Sequence, residues 1–224
     1  EAAGHTGGSS GKGGDLLYRW GNAAAYDQGT TADQALFGQH DAQWISDDLS
    51  GAGDILIFNN GLGAPGPNSS SVDQITPPVD ASGSYAYTPG TAYGPSSLSW
   101  QYEASNPTTF YSQNISGCQR LPNGNTLFST GAGAMAVEVD KDDKVVWKLE
   151  RKDLPEIKMG FMTGLNRLAN GNTILSFYQG SHHLLEVTRE KKLVWKYRLP
   201  SQRTVVSVQV LDQEGDATKG QVFK

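Results

Sequence analysis

Cysteine is nearly absent from this chain: Cys118 stands alone among 224 residues. That excludes an intrachain disulfide framework, and between Gly117 and Gln119 the side chain reads as a buried, inert thiol on an inner strand. Long hydrophobic runs are missing too. Nothing approaches the roughly 20 consecutive apolar residues of a membrane-spanning helix, so no membrane span is expected. No basic-then-apolar leader opens the sequence, which starts at Glu1, so export would require a signal already removed. Positive charge is scarce, with 18 Lys and Arg against 23 Asp and Glu and a net charge of −5. Such a balance argues against a nucleic-acid partner.

Metal-binding patterns are equally thin. The chain has four histidines, and the adjacent pair His182 and His183 falls in a turn without further ligands at a recognisable spacing. The turn with Asp140, Asp142 and Asp143 lacks the Gly and terminal Glu of a calcium loop and reads as a solvated hairpin. Residues 4–14 are rich in Gly and Ser, but Lys12 is followed by Gly13 rather than Ser or Thr, so the phosphate-loop pattern fails. A flexible Gly-rich N-terminal segment over 1–14 is the better reading.

What the chain does have is a repeat. The stretch RLPNGNT with VEVDKDDKVVW at 120–147 recurs as RLANGNT with LEVTREKKLVW at 167–195. A period of 47 to 48 residues between equivalent positions belongs to propeller blades. Each copy alternates apolar and polar residues between turn signals, as strands joined by hairpins do. Asn123-Gly124 and Asn170-Gly171 supply left-handed backbone for two-residue turns. Fainter copies of the closing strand end in Tyr18 and Trp100, and fainter copies of the opening strand lie at 40–45 and 206–211. The fold class expected is all-β: a β-propeller of four-stranded antiparallel blades, about four in this chain, over 15–224. The blades fall at about 37–102, 114–149, 160–198 and 204–224, the last closing with 15–20, since propellers often pair their termini in one blade. The Pro- and Gly-rich stretch 61–97 is a surface excursion with short strands at 72–75 and 85–87.

Opening strands line the centre of a propeller, and ligand sites gather at one mouth. Aligning the four on Gln43, Gln119, Asn166 and Gln209 places His40 in a column with Ser116, Thr163 and Val206. An imidazole where the repeat otherwise carries small side chains reads as a site set on a scaffold, or else as a histidine satisfied by its neighbours. Asp41 points to the opposite face of a regular strand and would orient His40 only across a bulge. Arg120 and Arg167 share another column. Two arginines from adjacent blades either clamp an anion or bind acids between blades, and their place in the repeat favours the structural role. Asn59 and Asn60 end a strand before Gly61, where turn chemistry is the default.

The run GDLLYRWGNAAAYDQGTTADQALFGQHDAQWI followed by GDILIFNNG resembles the arylsulfotransferase-like β-propellers, in which a Gln-His-Asp motif leads to an apolar strand ending in an Asn-Gly turn. The resemblance implies a six-bladed ring and transfer of a sulfuryl group from an aryl sulfate to a phenolic acceptor through a sulfohistidine, in an exported protein, periplasmic or extracellular, with no cofactor. The matching histidine is His40, as catalytic nucleophile. Arg120, Arg167, Ser116, Thr163, Asn59 and Asn60 are the groups available to bind substrate. This chain departs from the family pattern at the strand after the motif, which ends in Phe58, Asn59 and Asn60 where the family carries Arg, and no second channel histidine aligns with His40. The alternative is therefore a non-catalytic propeller, a protein- or glycan-binding or assembly module with a protein partner or a second copy of itself.

Overall fold

A computed structural model describes residues 6, 7, 11, 13, 14, 16–200, 204–208 and 210. Its described residues form twelve strands and four short 3-10 turns, with no α-helix, hence no helix long and apolar enough to cross a membrane. The strands are β1 (His40–Trp44), β2 (Ile55–Asn59), β3 (Ser71–Ile75), β4 (Trp100–Glu103), β5 (Gly117–Arg120), β6 (Thr126–Thr130), β7 (Met135–Val139), β8 (Val145–Leu149), β9 (Met162–Arg167), β10 (Thr173–Phe177), β11 (Leu184–Val187) and β12 (Leu193–Tyr197). They make three antiparallel four-stranded meanders, β1 to β4, β5 to β8 and β9 to β12. These are the expected propeller-like blades.

The Asn-Gly turns depart from the two-residue form. Leu121 N–H donates to Asn125 O, and Gly124 N–H returns to Leu121 O. The loop therefore holds three residues, with only its last, Gly124 at φ 84°, left-handed. This is the three-residue hairpin with a glycine bulge, in which Asn123 is free to brace the Asn125 N–H with its side chain. Leu168, Gly171 and Asn172 repeat the arrangement.

The second sheet carries apolar residues on both faces because a neighbouring blade covers each, while the far face of the first packs against Leu36, Tyr18 and Trp20. Phe58, Val72, Phe110, Cys118, Phe128 and Val137 pack between the first two blades. Leu127, Trp147, Leu149, Met162, Leu175 and Leu185 pack between the second and third. Full burial of each large side chain contributes on the order of 1.5–3 kcal/mol. Cys118 is buried, as expected.

The interfaces also carry a repeated polar lock. Arg120 lies over the Trp100 ring at 5.2 Å, donates to Gln74 Oε1 on β3 and closes its own hairpin through Gly124 O at 3.1 Å. Arg167 lies over Trp147 at 4.8 Å, donates to Glu138 on β7 at 2.8 Å and reaches Gly171 O at 3.0 Å. Each arginine thus ties its blade to the last two strands of the blade before. Glu138 is fully buried and also meets Arg189 at 2.5 Å. Burial alone would raise its pKa, but the hydrogen bonds from Arg189 and Asn125 and the charges of Arg167 and Arg189 hold it below the usual range.

Residues 16–20, expected as the closing strand, form none among the described residues. Tyr18 Oη donates to Gly94 O at 2.6 Å and Trp20 Nε1 to Pro95 O at 2.8 Å, so this segment is tied to the excursion rather than to a ladder. Within the excursion, 71–75 is the strand β3, whereas 85–87 is reduced to one bridge between Val79 and Tyr85. There the tyrosines stack on one another, Tyr18 on Tyr85 at 4.8 Å and Tyr87 on Tyr93 at 4.4 Å. Residues 204–208 run beside β9 without strand pairing, Val205 O accepting from Thr163 Oγ1 at 3.0 Å. The rest of the expected fourth blade lies largely outside the described residues, as does most of 1–14.

Candidate functional site

The leading ends of β1, β5 and β9 surround a cleft of about 450 Å³ lined by His40, Asp41, Ser116, Gln119, Thr163 and Asn166 among others. The column found in the sequence therefore converges in space. His40 is exposed at its mouth. Its Nδ1 lies 3.0 Å from Gly38 O and 2.8 Å from Asn60 Oδ1, and Nε2 has no hydrogen bond among the described residues. The ring is therefore held at one nitrogen and open at the other.

A bulge in β1 between His40 and Gln43 aims these residues. Asp41 takes a left-handed φ of 52°, and its carboxylate turns to the next blade. Oδ2 accepts from Cys118 N–H at 2.9 Å and from Gln43 Nε2 at 3.0 Å. A Cβ on Gly117 would approach that oxygen to 2.8 Å, so the strand beside it needs glycine. Asp41 thus fixes the bulge and the blade contact rather than bonding to the His40 ring.

Asn60 directly follows β2 and is fully buried. Its Nδ2 donates to Ser112 O and Ile115 O, each at 2.7 Å. Ile115 and Ser116 are held at φ 56° and 113°, conformations that cost a β-branched residue and a serine on the order of 1–3 kcal/mol each. Gly61, next to Asn60, has a φ of 74°, and a Cβ there would fall 1.8 Å from Ser69 O, so the turn admits no other residue.

Other expected ligand groups are already occupied. Ser116 Oγ donates to Ser112 Oγ at 3.1 Å and accepts from Gly131 N–H at 3.0 Å. Thr163 Oγ1 bonds to Ser176 Oγ and Val205 O. Asn59 accepts from Phe37 N–H and donates to Ala35 O and Asp73, so its amide braces the chain before β1. Burial raises the pKa of Asp73 against the hydrogen bonds it accepts from Gln101, Ser71 and Asn59.

Arg120 and Arg167 stand elsewhere. They line a second cleft of about 520 Å³ at the trailing ends of the inner strands, with Trp44, Asp48 and Leu49. Thr163 and Arg167 are four positions apart on β9, about 13 Å at ~3.3 Å per residue. The anion clamp beside His40 is therefore not formed by these arginines, whose guanidinium groups are spent between blades. Burial lowers the pKa of both. No Lys or Arg lines the His40 cleft among the described residues. The groups that do are the amides of Gln43, Gln119 and Asn166. Gln119 Oε1 accepts from Arg167 N–H at 3.2 Å, leaving its NH2 without a partner among the described residues. With Gln209, which lies outside the described residues, these are the four positions on which the inner strands aligned, and that recurrence is a signal by which the amides could have been found.

With a scaffold of this form and a histidine so placed, the match to a family model for arylsulfotransferase (ASST) over residues 25–198 spans both the His40 hairpin and the two regular blades. The chain belongs to the arylsulfotransferase family. Among curated proteins none matches this arylsulfotransferase-family chain. Solved structures similar to it include a protein of unknown function from Bacteroides caccae, at 15% identity and a TM-score of 0.41, covering 78% of this chain and 73% of that one. Virginiamycin B lyase from Staphylococcus aureus is another, at 15% identity and a TM-score of 0.42, covering 71% of this chain and 41% of that one. Both likenesses are distant.

Proposed function

We propose that the chain moves a sulfuryl group from an aryl sulfate to a phenol by way of His40. In the first step the Nε2 lone pair attacks sulfur, the bond from sulfur to the aryl oxygen breaks, and the phenolate leaves. In the second the acceptor, its proton given up through solvent to the departed phenolate, attacks sulfur through its oxygen, the S–N bond breaks, and the neutral imidazole is restored. Such transfers depend on in-line positioning and on donors aimed at the equatorial oxygens. In this cleft the NH2 groups of Gln119 and Asn166 take that part. The observation that carries the reading is the open Nε2 at the mouth of the cleft, with Nδ1 engaged behind it. An exported location belongs to the same proposal.

A second reading has support of its own, because no described cation lines the cleft and the outer strand of the third blade leaves Val194, Trp195 and Tyr197 exposed. A binding or assembly module would present that apolar strand to a protein partner or a second copy. Release of nitrophenol from 4-nitrophenyl sulfate with a phenol acceptor separates the two. Turnover that falls by roughly 10³-fold or more in His40→Ala, as for other covalent nucleophiles, is the expected result. A folded parent protein with no turnover would instead favour the binding module.

A further inference from the structure

Whether His40 can act as a nucleophile through Nε2 depends on which nitrogen carries the proton, and the surroundings leave little choice. The side chain of Asn60 faces two carbonyl oxygens, Ser112 O and Ile115 O, each at 2.7 Å. Carbonyls only accept, so the NH2 group of Asn60 must point to them and its oxygen must point to His40. That oxygen also only accepts. Gly38 O, the other neighbour of Nδ1 at 3.0 Å, is a second acceptor facing that nitrogen. A neutral imidazole with an unprotonated Nδ1 would set three lone pairs against one another at hydrogen-bond distance, so the proton sits on Nδ1 and the lone pair on Nε2.

The orientation is imposed from the neighbouring blade. Ser112 and Ile115 belong to the loop leading into β5, and Ile115 is held there at a φ of 56°. Ser70 Oγ donates to Asn60 O at 2.8 Å and accepts from Ser112 N–H at 2.9 Å, so the backbone of Asn60 is tied to the same loop. With no part of its side chain reaching solvent, Asn60 cannot turn its amide over without burying two unpaired carbonyls, at a cost of about 1–3 kcal/mol each.

We propose that Asn60 is a positioning residue that locks His40 as the Nδ1–H tautomer and so delivers Nε2 to the cleft, with the loop at 112–116 of the second blade setting the lock. The proposal rests on the sulfuryl-transfer reading for its use, while the tautomer itself can be read without any substrate. Long-range 1H–15N correlation spectra of protein labelled with 15N-histidine report which ring nitrogen is protonated, and His40→Gln identifies the His40 signals among the four histidines. At a pH where the ring is neutral, His40 is expected to show a protonated Nδ1 and a bare Nε2. In Asn60→Ala, confirmed as folded by its thermal transition, the population shifts toward Nε2–H, and kcat for aryl sulfate falls by up to roughly 10⁴-fold, the loss a wrong-tautomer substitution reaches, with KM little changed. A parent spectrum showing Nε2–H overturns the lock, and needs no variant to do so. Retention of Nδ1–H in a folded Asn60→Ala overturns the part assigned to Asn60. A parent protein in the Nδ1–H form that transfers no sulfuryl group bears out the lock and removes the sulfotransferase reading instead.

Discussion

The two ends of the inner strands are built on opposite plans. At the trailing ends, Arg120 and Arg167 do the same thing twice: each lies over a tryptophan, reaches a side chain on the third strand of the previous blade, and closes its own Asn-Gly hairpin. At the leading ends nothing recurs. His40, Ser116 and Thr163 share a column but bond to an asparagine, a serine and a backbone carbonyl respectively, and the backbone between blades is bulged or left-handed at Asp41, Ile115 and Ser116. Repetition marks what holds the blades together. Breaks in the repeat mark where the scaffold has been adapted, and both strain and an open imidazole nitrogen collect at that end.

Separate functions for the two ends can be tested by damaging one and reading the other. The largest effect is expected from Glu138→Ala, which strands the buried Arg167 guanidinium. Loss of one partner from a buried pair costs about 3–5 kcal/mol, seen as a lower urea midpoint, while turnover per folded molecule stays at the parental value. Changed catalysis without changed stability would dissolve the distinction. Glu138→Gln sharpens the same point through pH. Because the native pKa of Glu138 is lowered, its ionised form contributes stability above the ordinary glutamate value of 4.5, and that contribution disappears as pH falls through the native value. The variant is expected to flatten this acid limb in melts recorded across the range.

At the other end, Gly117→Ala drives a methyl group toward Asp41 Oδ2. A stability loss of about 1–3 kcal/mol, usual for overpacking, should come with reduced turnover, because Asp41 sets the bulge that aims His40. Reduced stability with full activity would show that the bulge does not matter to the site. The tryptophans supply a smaller contrast. Trp195 is 44% exposed where its counterpart Trp147 is 7%, so Trp195→Ala should cost less than ~1 kcal/mol, against about 3–5 kcal/mol for Trp147→Ala. Lys141→Ala, which removes a pair exposed on both sides, should leave the urea midpoint where it is in the parent protein.

Much of this arrangement is legible in the amino-acid sequence. Strand positions in the second and third blades follow from alternation and turn residues, and the recurrence of Arg120 and Arg167 favours a role between blades while leaving the anion clamp open. The column with His40 was visible because its repeat mates are small. The bulge was not, since no glycine stands there and an aspartate marks left-handed backbone only weakly. Nor was the role of Asn60: an Asn before Gly looks like turn chemistry, and its partners Ser112 and Ile115 are more than 50 residues away in a loop with no pattern. The segment 16–20 copies the closing strand, an apolar pair followed by an aromatic, yet the hydroxyl of Tyr18 and the indole of Trp20 find carbonyls in the excursion at 94–95. Tertiary partners there outweighed local preference.

The locks at the blade interfaces also have a direction. Arg120 and Arg167 both reach back to the preceding blade, and the third blade repeats the receiving half of the device: Asn172 holds Glu186 at 2.6 Å just as Asn125 holds Glu138 at 2.7 Å, beside Trp195, with no arginine over it among the described residues. The second and third blades are therefore plug-and-socket units of one polarity. A duplicated second blade would present a matching plug to the blade before and a matching socket to the blade after, so at the trailing ends an array of this kind can lengthen by whole units, while the contacts that Asp41 and Asn60 make to the second blade at the leading ends would stay with the first pair alone.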